Sequence, residues 1–208
     1  DGKTIGQGLE EMDKIAAQTL DETFRTALSG DSKDYRESSS SLMFAFILAL
    51  ILIYLILAAQ FESFKDPFII MLTVPLAIAG ALIFMYAGGI TMNIFSQIGI
   101  IMLIGLVAKN GILIVEFANQ KQEGGENKMQ AIRDAALQRL RPILMTSAST
   151  VLGLIPLAFA TGEGANQRIA MGTAVVGGML VSTFLTMYIV PAIYSYISTN
   201  RNVKTETV

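Results

Sequence analysis

Two short runs of residues carry the polar chemistry of this chain. In Gly99–Asn119, GIIMLIGLVAKNGILIVEFAN, Lys109 and Asn110 interrupt an otherwise apolar stretch, and Glu116 follows two turns later on nearly the same face. If residues 94–117 form one helix, it is roughly 36 Å long and Lys109 lies about 12 Å from its nearer end. A charge at that depth in a bilayer costs on the order of 3 kcal/mol, so it ordinarily faces a partner or a wet path. Two readings follow. Either the Lys109 ammonium snorkels to the headgroups along its own stem, or it belongs to a buried ion or proton site that Asn110 and Glu116 support.

The second run is Arg139–Thr150. Arg139 and Thr146 stand seven residues apart, about 10 Å along one helix face, with Thr150 one further turn on. An arginine at the mouth of a span with hydroxyls above it makes a polar stripe at depths compatible with Lys109. The competing reading is local: hydroxyls in membrane helices bond their own preceding carbonyls, and arginines at helix ends bind headgroups. Neither run supplies an acid at the depth of Lys109, since Glu116 by itself reads as an interfacial residue. The only aspartates after residue 41 are Asp66 and Asp134, both outside the expected spans, so a carboxylate to balance Lys109 is expected from another segment or subunit.

Composition narrows the chemistry. The 208 residues are 52% hydrophobic, with no cysteine, histidine or tryptophan, and the mean hydropathy is +0.54; with long apolar runs this describes a membrane protein. Lacking histidine and cysteine, the chain has neither the usual general base nor a thiol nucleophile nor the common zinc ligands. No nucleophile–base pair, phosphate-binding loop or metal cluster is visible, so the reading is not an enzyme, with no cofactor and no metal. No basic, aromatic-interleaved patch points to nucleic acid. Residues 1–41 hold five bases against nine acids. The chain starts at Asp1 without a methionine or a signal-peptide pattern and is expected to be an internal piece of something longer.

The elements that must position these residues follow from periodicity. Residues 4–20 read as an amphipathic helix whose apolar side needs a partner surface, Phe24–Leu28 as a short strand, and Asp31 as the cap of a helical lead-in over 31–41. Five spans are expected at 42–59, 68–86, 94–117, 142–160 and 169–197, with Pro75 and Pro156 as kinks. An interfacial amphipathic helix is expected at 127–140, and a polar tail at 198–208. Ala170, Ala174 and Gly178 repeat small residues every fourth position, which suits close packing of the last span. Lys65, Lys121, Lys128, Arg133, Arg139, Arg141, Arg201 and Lys204 all fall on one side of this arrangement. The positive-inside rule makes that side cytoplasmic and the first 41 residues periplasmic.

AAQFESF at Ala58–Phe64, GLVAKNGILIVEFAN at Gly105–Asn119 and RLRPILMTS at Arg139–Ser147 resemble the C-terminal membrane half of a resistance-nodulation-division (RND) multidrug efflux pump of the hydrophobe/amphiphile class. The likeness runs from about Thr4 to Ile197. It implies an all-α membrane fold in which the five spans are the eighth to twelfth of twelve helices, with residues 1–30 the end of a periplasmic α+β porter domain. It also implies a bacterial inner-membrane location and drug/proton antiport in which Lys109, Thr146 and Arg139 form one side of a proton relay. The resemblance places an aspartate pair on a helix of the N-terminal half, which this chain lacks. The implied partners are that missing half, two further copies in a homotrimer, a periplasmic adaptor, an outer-membrane channel and the lipid bilayer. Three other readings are a truncated assembly module without transport, an incomplete bundle that leaks ions, and part of a metal-ion exporter of the same superfamily.

Overall fold

The computed structural model describes residues 5–21 and 23–199. Its seven helices are α1 (Ile5–Thr19), α2 (Asp31–Phe61), α3 (Lys65–Met71), α4 (Thr73–Ala87), α5 (Ile94–Glu123), α6 (Lys128–Ala158) and α7 (Ala165–Ile197). There is no strand among the described residues. Counting α3 and α4 together, five stretches among the described residues are long and apolar enough to cross a membrane. The chain is an all-α, multi-pass membrane protein.

Helix α7 is the post on which the others lean, packing against α3, α4, α5 and α6. Its small residues make this possible. Ala170, Gly172, Ala174, Gly177 and Gly178 are all buried, and a methyl group placed on Gly172 would lie 2.6 Å from the amide nitrogen of Ala158 in α6. On Gly178 it would meet the Ala77 carbonyl at 2.8 Å, and it would also strike Leu103 of α5. With no water to expel between helices in lipid, close backbone approach and van der Waals contact carry the association. Around α7 sits one apolar cluster containing Ala77, Ala81, Leu103, Val107, Ala174 and Met179. A second cluster, with Ile69, Ile70, Ile114, Val115, Ile132 and Val190, continues toward the basic end.

The helix boundaries depart from the expected ones at several points, each with a local cause. The span expected at 68–86 is interrupted at Leu72, between α3 and α4, rather than at Pro75. A proline ring collides with the carbonyl four residues before it, here that of Met71, so the break falls there. Pro142, by contrast, breaks nothing: the interfacial helix expected at 127–140 and the span expected at 142–160 are one continuous helix, α6. The carbonyl that loses its donor belongs to Gln138, an exposed residue, and water at an interface can satisfy it.

Phe24–Leu28 forms no strand; Phe24 N–H instead closes a turn onto the Asp21 carbonyl at 3.0 Å. A strand needs a neighbour for its backbone groups, and no described segment lies alongside. Asp31 is the first residue of α2 rather than its cap. Gly30 holds the cap position at φ 62°, a left-handed value that glycine adopts without strain. Helix α5 extends to Glu123, and α7 begins already at Ala165. Of the tail expected at 198–208, residues 200–208 lie outside the described residues, as do residues 1–4 of the first segment.

Candidate functional site

Helix α5 starts from a reciprocal cap. Asn93 accepts from the Ser96 N–H at 2.9 Å, and the Asn93 N–H donates to Ser96 Oγ at 2.9 Å. From that fixed start the helix shows two faces. Leu103, Val107, Asn110, Gly111 and Ile114 turn into the bundle, while Ile98, Met102, Gly105 and Lys109 are exposed at successive spacings of four, three and four residues. That stripe is one face of a helix. Lys109 therefore stands at the surface of this chain in the middle of an apolar span, and among the described residues its ammonium has no hydrogen-bond or ion-pair partner.

Helix α6 runs back antiparallel after the turn at 124–127 and presents a similar face. Thr146 is exposed; its hydroxyl donates within its own helix, 3.1 Å from the Pro142 carbonyl and 3.1 Å from that of Ile143. Thr150, half-buried, donates to the Thr146 carbonyl at 2.9 Å. Arg139 reaches across to α5, its guanidinium carbon 4.5 Å from the centre of the Phe117 ring, a cation–π contact. Its Nε is buried without a hydrogen-bond partner. Glu116, beside Phe117, is half-buried.

Of the six residues singled out, then, Lys109 and Thr146 share an outward setting but are not bonded to each other, and Arg139 touches α5 through an aromatic ring. Asn110 is the exception. It is buried and donates to Ser147 Oγ at 3.3 Å, tying α5 to α6 from the inside. These two helices offer one free ammonium, two hydroxyls and a guanidinium stacked on Phe117. Among the described residues no carboxylate is paired with Lys109, Thr146 or Arg139, and no group of acids, histidines or cysteines is placed to hold a metal.

Sequence reasoning missed the most extensive polar cluster. Asp66, placed by the sequence outside the expected spans, is 1% exposed. Its carboxylate accepts from Asn119 Nδ2 at 3.1 Å and from Ser198 Oγ at 3.1 Å. Tyr194 donates to Asn119 Oδ1 and accepts from Gln122 Nε2 at 2.7 Å, and Lys128 Nζ donates to the Ser198 carbonyl at 2.9 Å. This network joins the start of α3 to the ends of α5 and α7 and the start of α6. The missing signal is one of distance: Asp66 and Ser198 are 132 residues apart, and an aspartate before proline after aromatic residues looks like any interfacial turn.

A family model described as the AcrB/AcrD/AcrF family matches residues 1–198. An uncharacterized transporter of Haemophilus influenzae is 40% identical over 205 residues, covering 95% of this chain and 20% of its own length. The toluene efflux pump membrane transporter TtgB of Pseudomonas putida is 38% identical over 197 residues, with 95% of this chain and 19% of its own length covered. The multidrug resistance protein MdtF of Escherichia coli is 39% identical over 194 residues, covering 93% and 19%. The chain thus spans about a fifth of the length of these curated relatives.

Proposed function

The chain belongs to the AcrB/AcrD/AcrF family, and we propose that it is a membrane-embedded part of a proton-driven RND exporter of hydrophobic or amphiphilic compounds. In this reading Lys109, Thr146 and Arg139 are its share of the proton relay. Asn110, Glu116 and Thr150 support them. The observation that carries the proposal is the position of Lys109. An ammonium without a partner, on the exposed stripe of a span, implies a counter-charge brought by whatever covers that stripe.

The fraction of the relatives' length that this chain spans leaves room for a further membrane half bearing carboxylates. Two opposite charges about 4 Å apart attract by about 4 kcal/mol at an effective dielectric of 20. Protonating the carboxylates removes that attraction, so each proton taken up loosens α5 and α6 from the covering half. Release of the proton on the other side restores the pairing. Arg139 lies on the same open side, and its stacking on Phe117 keeps the mouths of α5 and α6 together while the pairing changes. The basic ends of the spans face the cytoplasm in this reading, and α1 faces the periplasm. The exposed apolar side chains of α1, Met12 and Ile15 among them, suit burial against a porter domain. The complete assembly is then a homotrimer working with a periplasmic adaptor and an outer-membrane channel.

Substituting Lys109→Ala in the complete transporter tests this. Efflux driven by a proton gradient is expected to disappear while the amount of protein in the membrane stays the same. Normal efflux from the mutant would remove Lys109 from the mechanism.

A further inference from the structure

The two outward relay candidates share a pattern. Lys109 is followed by Asn110, and Thr146 by Ser147; the first member of each pair is exposed and the second buried. Successive residues on a helix are turned by about 100°, so an outward residue and its inward neighbour are rigidly linked. The inward members meet. Asn110 Nδ2 donates to Ser147 Oγ at 3.3 Å, and Thr183 Oγ1 of α7 donates to the same oxygen at 3.1 Å. All three residues are nearly inaccessible, with exposures of 3%, 5% and 4%.

Building on the relay reading above, we propose that Ser147 and Thr183, with Asn110, form a positioning junction that fixes Lys109 and Thr146 relative to each other. The geometry gives the reason. Because α5 and α6 run antiparallel, an Asn110–Ser147 bond at one level sets Lys109 and Thr146 one residue to either side of it, about 3 Å apart along the helix axes. Thr183 supplies the reference end, since α7 packs so closely on α4 and α5 at Gly177 and Gly178 that even an added methyl group would collide with Phe84 or Leu103. Any turn or slide of α6 that changes the level of Thr146 against Lys109 must first stretch the bonds to Ser147. The junction sets which arrangement of the outward pair is favoured, without itself touching a proton in transit. None of its members is charged, so it holds this register whatever the protonation of the relay.

The test is efflux of ethidium from vesicles containing the complete transporter, measured as a function of pH under a fixed proton gradient, at matched protein levels. Ser147→Ala is expected to lower the maximal rate about three- to tenfold, the scale of one interhelical hydrogen bond, and to displace the pH profile. Thr183→Val, which removes the hydroxyl at nearly constant shape, is expected to displace it in the same direction, and Thr183→Ser to restore the wild-type profile. Should Ser147→Ala fail to accumulate, the Thr183 pair decides alone. A wild-type profile in Thr183→Val overturns the proposal, and so does a reduced rate with an unmoved profile, which marks a purely structural role. Lys109→Ala run alongside separates the two levels. Efflux lost there but unaffected at Ser147 and Thr183 refutes the junction alone, whereas efflux retained there refutes the relay reading.

Discussion

Helices α6 and α7 are nearly the same length, 31 and 33 residues, and both contain prolines and hydroxyl residues. Yet half of the apolar stretch of α7 is buried in the bundle, against 17% for α6. Hydrophobicity does not explain the contrast, because in lipid an apolar side chain gains little by exchanging tails for a neighbouring helix. Small residues do. Where α7 offers glycine and alanine its neighbours close in; where α6 turns Leu144, Met145 and Leu152 outward, the described residues leave them exposed. The packed helix is enclosed by its neighbours, and the open one carries Thr146 on its exposed side.

Substitutions that change the character of one helix should break this contrast. The largest effect on stability is expected from Gly172→Val, since the added side chain meets backbone of α6, which cannot rotate away. A loss of about 3 kcal/mol should appear as a lowered midpoint in thermal unfolding followed by circular dichroism in detergent. Next comes Asp66→Ala, which strands the Asn119 amide and the Ser198 hydroxyl; about 2 kcal/mol is expected, read as earlier loss of the monodisperse peak on heating. Tyr194→Phe removes one donor and one acceptor from the same network and should cost about 1 kcal/mol by the same measure. At the small end, Met145→Ala on the open side of α6 should change stability by less than about 0.5 kcal/mol. A large loss there would mean that this face already packs within the isolated chain.

Most of the architecture was legible because span length and loop composition are set by the bilayer itself. The stripe of small residues in α7 was visible as well, since Ala170, Ala174 and Gly178 fall at helical spacing. What escaped was everything that depends on which neighbour a residue meets. Pro142 looked like a helix boundary, though only its unpaired carbonyl had to be accommodated. Pro75 looked like a kink at its own position, whereas the collision lies one turn earlier. Phe24–Leu28 has strand-like side chains but no partner. Asp66 resembled a surface turn, and its burial rests on Asn119 and Ser198 in distant parts of the chain. In the candidate site, Lys109, Arg139 and Thr146 stood out by type and depth. Ser147 and Thr183 did not, because a lone hydroxyl in an apolar helix usually bonds its own backbone.

The continuity of α6 through Pro142 has a mechanical consequence. A 31-residue helix whose turns run on past Pro142 reaches about 46 Å from end to end. Tilting such a rod by about 5° around one tip carries the other through about 4 Å. Arg133 and Asp134 near one tip and Pro156 near the other are thus geared together, with Thr146 riding between them. In the proposed relay, a change of charge beside Thr146 would therefore be felt toward both membrane surfaces rather than on one side of Pro142 alone.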